Sequence, residues 1–190
     1  MNTTIIFAHP YQQSYNKAIL DKVVQTLTTN KHDYTIIDLY KDDFNPILTE
    51  EELSVYNQGK SLDPLVEKYN AILDQTEQII LIFPIWWYDM PAIMRGFFDK
   101  VMLTGSAYYE DDKGIHPLRN IGKTVLFTTS SAPTAQLISD FGDPINKVII
   151  AGTFKAIGWQ NAQWYNLGLI GTISDTEGKA FLDNIPTKIL

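Results

Sequence analysis

Gln78-Ile79-Ile80-Leu81-Ile82-Phe83-Pro84-Ile85-Trp86-Trp87-Tyr88-Asp89-Met90-Pro91 decides how the rest of the chain is read. Every position from Ile79 to Phe83 is apolar, the pattern of a strand covered on both faces in the middle of a parallel sheet. Pro91 then stands where the first turn of a helix belongs. Beyond it, Ile93, Met94, Phe97, Phe98, Val101 and Met102 form an apolar stripe opposite Arg95, Asp99 and Lys100, and this helix is expected to end near Leu103.

On the N-terminal side the alternation repeats. Residues 4–8 are a short apolar strand ending at His9-Pro10, and residues 14–27 place Ile19, Leu20, Val23, Val24 and Leu27 at helical spacing. A strand over 34–39 follows a polar turn. The irregular segment 42–64 holds a short helix over 50–56 capped by Thr49, and a helix is expected over 64–75. On the C-terminal side a Gly-, Asp- and Tyr-rich loop runs to Gly122. Strands are expected over 124–129 and 158–165, and helices over 135–150, where Gly142 and Pro144 interrupt, and 176–182. Strands alternating with helices predict a parallel sheet with right-handed crossovers. Five of them predict a three-layer, doubly wound α/β fold of flavodoxin-like type, with sheet order 2-1-3-4-5 and one domain over residues 1–190.

Composition narrows the function. The 190 residues carry a formal charge of -7, which disfavours nucleic acid or an anionic membrane surface as the main partner. Cysteine is absent, so disulfides, thiolate catalysis and cysteine-ligated clusters are excluded and redox chemistry would need a borrowed cofactor. The three histidines, His9, His32 and His116, have no metal-ligand spacing, and Glu50-Glu51-Glu52 reads as a solvated helix start. The first residues resemble a buried strand more than a signal peptide, and no apolar run is long enough to cross a membrane, so a cytoplasmic location is expected.

In an open sheet of this kind ligands bind beyond the carboxyl ends of the strands, which singles out three loops. The loop 9–16 offers the imidazole of His9, the hydroxyl of Ser14, the amide of Asn16 and a helix start that favours an anion; read blandly, Ser14 only caps the helix. The loop 84–91 brings three consecutive aromatics to the end of the core strand, and they cannot all point inward. At least one is expected to line a pocket for a planar ring or a dimer contact. The loop 128–133 adds hydroxyls and free amides, although alone it is only a turn.

Together, AHPYQQSYN at 8–16, DLYKDDFNPILTEEE at 38–52, FPIWWYDMPAIMRGFFDKV at 83–101 and TVLFTTS at 124–130 resemble the NAD(P)H:quinone reductase family. That family includes the mammalian enzyme often called DT-diaphorase, bacterial modulators of drug activity and ancillary proteins of potassium efflux systems. The resemblance spans residues 3–165. It implies a flavin, FMN first and FAD as the alternative, with NAD(P)H as co-substrate and a quinone or similar small acceptor. It implies ping-pong transfer of two electrons in a homodimer. His9, Ser14, Tyr15 and Asn16 would hold the phosphate region. Pro84, Ile85, Trp86, Trp87 and Tyr88 would lie along the isoalloxazine ring, and Thr128, Thr129, Ser130 and Ser131 would meet its pyrimidine end. No side chain acts as the catalytic nucleophile, because flavin N5 carries the hydride. Trp87, Tyr88 and Tyr108 shape the pocket, Tyr108 from the partner subunit.

Two departures stand out. The family ends its fourth strand in Thr-Thr-Gly-Gly, where this chain has Thr129-Ser130-Ser131, and no histidine follows His116 to compensate charge on a reduced flavin. Two rival readings use the same loops: a flavin-binding accessory subunit of a potassium efflux system, and a single-electron carrier like flavodoxin.

Overall fold

A computed structural model describes residues 1–190. Five parallel strands, β1 (Thr3–Phe7), β2 (Tyr34–Asp38), β3 (Gln78–Pro84), β6 (Lys123–Thr129) and β7 (Ala162–Leu167), form a sheet in the order β2-β1-β3-β6-β7. With the two strands of a separate hairpin set aside, this is the expected order 2-1-3-4-5. β3 is buried at all seven positions, as its unbroken apolar run requires.

The register sorts its side chains by period two. Ile79, Leu81 and Phe83 join a cluster of 27 buried residues on one face, while Ile80 and Ile82 join a cluster of 12 on the other. The larger cluster lies under α3 (Pro64–Leu73), α4 (Ala92–Val101) and the segment Ile145–Phe154; the smaller lies under α1 (Tyr15–Thr29) and the C-terminal helices. Helices on both faces make the three layers.

Local chemistry sets the helix starts. Ser14 caps α1 by accepting from the Lys17 N–H at 3.1 Å. Thr49 and Glu52 form a capping box at α2 (Glu50–Ser54), and Asp63 caps α3 ahead of Pro64. Glu52 departs from the solvated start expected of it. Its carboxylate meets the buried Lys100 ammonium at 2.9 Å, and Asp63 meets the same ammonium at 3.1 Å, fastening the irregular segment onto α4.

The C-terminal half departs further. The expected loop to Gly122 contains a hairpin of β4 (Tyr108–Asp111) and β5 (Gly114–Pro117), in which Tyr109 stacks on His116 across the ladder at 4.7 Å. The helix expected over 135–150 is split. α5 (Thr134–Ser139) stops before Gly142 and Asp143, both at positive φ. Ile145–Phe154 then winds as a π-helix, with buried Ile145, Ile149 and Phe154 spaced four and five residues apart, wider than an α-helical turn. The fifth strand starts at Ala162 instead of Gly158, because Gly158 (φ 76) and Asn161 (φ 48) spend the intervening residues on turns. α6 (Asp175–Asn184) and α7 (Pro186–Ile189) close the chain. No helix is long and apolar enough to cross a membrane.

Candidate functional site

β1, β3 and β6 end side by side. Ala8 N–H donates to Ile82 O at 3.0 Å and Ile85 N–H to Thr129 O at 2.7 Å, so the three loops leave the sheet at one level. They enclose two adjoining hollows. One of about 500 Å³ lies between Ile85, Trp86, Trp87 and Tyr88 and the segment Ser130, Ser131, Ala132 and Leu137. The other, of about 300 Å³, reaches from Pro84 and Trp86 past Thr129 to His9, Ser14, Tyr15 and Asn16. Ile85, Trp86, Ser130 and Ser131 line both. The site is one continuous cleft at the point where the chain's windings reverse, where open α/β sheets bind ligands.

The turn after β3 is the strained part. Trp86 and Asp89 exchange N–H···O bonds at 3.0 and 3.1 Å, with Trp87 (φ 50) and Tyr88 (φ 68) at the two central positions. Asn-Gly is the usual occupant of such a turn, and two aromatics there cost about 1–3 kcal/mol each. Trp86 N–H is consumed inside the turn, whereas Trp87 and Tyr88 N–H make no backbone bond. The Trp87 ring is 92% exposed at the mouth of the cleft, and Trp86 meets His9 edge to face at 6.2 Å.

The α1 end is polar without being basic. Tyr15 and Asn16 N–H have no backbone acceptor, as the first turn of a helix leaves them. Asn16 is 2% exposed; its Nδ2 donates to Thr129 Oγ1 at 2.8 Å and its Oδ1 has no partner. His9 Nδ1 accepts from Tyr11 N–H at 3.1 Å, leaving Nε2 to carry the proton of the neutral ring. Partial burial holds the His9 pKa below its usual value. No lysine or arginine lines either hollow, so anion binding here falls to N–H dipoles and the helix start.

Not every expected contact faces the cleft. Thr128 is buried beneath it: its Oγ1 donates to Asn166 Oδ1 at 2.8 Å and accepts from Trp164 Nε1 at 2.7 Å, so it ties β6 to β7 and cannot reach a ligand. Ser130 presents only its surface. Its hydroxyl donates to Ala132 O and accepts from Asn166 Nδ2, and its backbone is bonded to Leu167 and Ile170. Neither Ser130 nor Ser131 has positive φ, so neither backbone position calls for the glycine that the family has there. Tyr108 sits on the hairpin away from this chain's cleft, 3.2 Å from the Tyr56 hydroxyl. Ile170 also lines the cleft but was not anticipated, since misplacing the fifth strand hid the loop that follows it.

The fold and cleft define a flavodoxin-like protein. The family model for the flavodoxin-like fold matches residues 1–183, and the chain belongs to that family, as its resemblance to the NAD(P)H:quinone reductases implied. Among similar proteins, an uncharacterized NAD(P)H oxidoreductase of Haemophilus influenzae is 33% identical over 96% of this chain and 91% of its own length. The rat NAD(P)H dehydrogenase [quinone] 1 is 25% identical over 82% of this chain and 64% of its own length. The NAD(P)H:quinone oxidoreductase of Methanothermobacter marburgensis superposes with a TM-score of 0.88 at 24% identity, covering 98% of this chain and 96% of its own. An FMN-dependent NADH-azoreductase of Bacillus anthracis, solved in complex with FMN, shares the fold with a TM-score of 0.76 at 16% identity, covering 98% of this chain and 96% of its own. Nothing in these comparisons supports the potassium-efflux alternative.

Proposed function

We propose that this chain is a flavin-dependent NAD(P)H oxidoreductase that hands two electrons to a quinone or similar flat acceptor. The observation that carries the reading is the cleft itself, which has unspent N–H groups at both ends and an aromatic wall along one side. Bound there, a flavin supplies the hydride and two-electron chemistry that the side chains lack.

The protein's part is to bind, orient and exclude water. The start of α1, with Ser14, Tyr15 and Asn16, would take the phosphate, and the unpartnered Asn16 Oδ1 would be an acceptor for a hydroxyl of the bound group. Ile85, Trp86, Trp87 and Tyr88 would flank the ring, and the free Trp87 and Tyr88 N–H would be donors for negative charge that develops on it. Thr129 and Ser131 meet the pyrimidine end. FMN suits the phosphate end better than FAD, because no basic side chain is present for a second phosphate. α6 packs tightly on Tyr15: a Cβ on Gly178 would lie 2.6 Å from the Tyr15 hydroxyl. The chain would act as one domain over residues 1–190, in the cytoplasm and as a homodimer that covers the exposed Trp87 and sets Tyr108 beside the partner's cleft.

The test is anaerobic stopped flow on FMN-loaded protein, mixed with NADH or NADPH and then with benzoquinone. Rapid bleaching of the flavin band followed by rapid recovery is expected. Bound flavin that neither donor bleaches would overturn the enzyme reading, and failure to bind flavin would overturn the site.

A further inference from the structure

The walls of the larger hollow come from two separate parts of the chain, and a ring pair joins them at the rim. Tyr88, on the strained turn, stacks on Phe141 with ring centroids 4.0 Å apart and planes 28° from parallel. Phe141 lies four residues after Leu137, which lines the opposite wall. Its loop is fixed from below. Asp143 N–H donates to Leu137 O at 3.1 Å, Asn146 Nδ2 donates to the Asp143 carboxylate at 2.9 and 3.0 Å, and Gly142 (φ 73) and Asp143 (φ 58) make the bend.

Both rings remain about 40% exposed, so the stack is not a core contact that burial alone would enforce. Tyr88 also holds a left-handed backbone that its side chain does not favour, and needs a neighbour to hold it there. The stack links the turn that forms one wall to the loop that follows Leu137 on the other.

We infer that Phe141 is a specificity-determining positioning residue that holds Tyr88 across the rim and restricts the size of the acceptor admitted there. The inference rests on the reductase reading for its reaction and on the ring pair alone for its geometry. With the Phe141 ring removed, Tyr88 is free to swing and the cleft opens toward larger fused-ring acceptors. The donor step is common to all acceptors, so the effect appears in the ratio between two acceptors at one donor concentration.

The experiment compares wild type, Phe141→Ala, Phe141→Leu and Phe141→Tyr, all FMN-loaded, with benzoquinone and anthraquinone sulfonate. The ratio of kcat/KM for anthraquinone sulfonate over benzoquinone is expected to rise about tenfold in Phe141→Ala, the order of one lost stacked ring pair. Phe141→Leu should follow in the same direction, and Phe141→Tyr, which restores the stack, should match wild type. Quenching of the protein's tryptophan fluorescence gives the two dissociation constants without turnover, and their ratio should move in the same way. If both ratios in Phe141→Ala and Phe141→Leu equal those of wild type, or if Phe141→Tyr shifts as Ala does, the inference falls. If wild type reduces neither acceptor, the proposed function falls and the dissociation constants alone decide the role of Phe141.

Discussion

Trp87 sits at φ 50 with its ring 92% exposed, so Trp87→Gly removes little buried surface. The relief of about 1–3 kcal/mol of backbone strain outweighs the ~0.5–1 kcal/mol that glycine's freedom adds to the unfolded chain. The cofactor-free variant is therefore expected to unfold about 2–4 °C higher by calorimetry, while losing affinity for the acceptor. A lower midpoint would mean that the ring packs on something in the folded protein. Asn16 makes the complementary case. Asn16→Leu deletes a buried carbonyl that has no partner but also strips the buried Thr129 hydroxyl of its donor, so cofactor-free stability in urea should fall by about 1–3 kcal/mol. FMN affinity, followed by flavin fluorescence, should fall about tenfold if Oδ1 faces the ribityl chain, as one lost hydrogen bond predicts. Equal affinity would remove Asn16 from the site.

At the scale of elements, the segment between β2 and α3 is held by one buried ammonium. Lys100 on α4 is 3% exposed and is shared by Glu52 and Asp63. Lys100→Met leaves two carboxylates facing an apolar side chain, and unfolding in urea should show a loss of about 3–5 kcal/mol. Burial alone would raise the Glu52 pKa, but the Thr49 N–H and the Lys100 charge together outweigh it and hold the carboxyl below its usual value. A carboxyl depressed in the folded state stabilises at pH above its unfolded value. That contribution is lost as pH falls through the folded value, so a urea series from neutral pH to below the usual carboxylate range should show a stability loss that Glu52→Gln lacks. The elements differ in how openly the sequence announces them. α1, α2 and α3 carry their start signals in Ser14, Thr49 and Asp63-Pro64. The hairpin at Tyr108–Pro117 and the π-helix at Ile145–Phe154 do not, because each depends on what it packs against: a Tyr109–His116 stack in one case, a buried face of wide spacing in the other.

For the molecule as a whole, the cleft lies across the ends of three strands, so a ligand there binds only the folded state. FMN at about one hundred times its dissociation constant should add about 2.7 kcal/mol and raise the thermal midpoint by several degrees. No shift with FMN, in protein shown to be folded, would count against the whole site. The sequence by itself determined the layered parallel sheet, because an unbroken apolar strand, amphipathic helices and caps are local patterns, whereas the strand order follows from the resemblance to flavodoxin-like proteins. It also marked the three loops, since strand ends in such a sheet converge. Which atoms of those loops remain available was decided only by the tertiary structure. Thr128 and Ser130 read like ligands in sequence, yet Asn166 and Trp164, from a strand more than thirty positions away, take up their hydroxyls. Tyr88 meets Phe141 in the same way, across a gap of 53 positions. Hydrogen bonds and ring contacts between distant segments depend on the three-dimensional approach of backbones that no local pattern encodes.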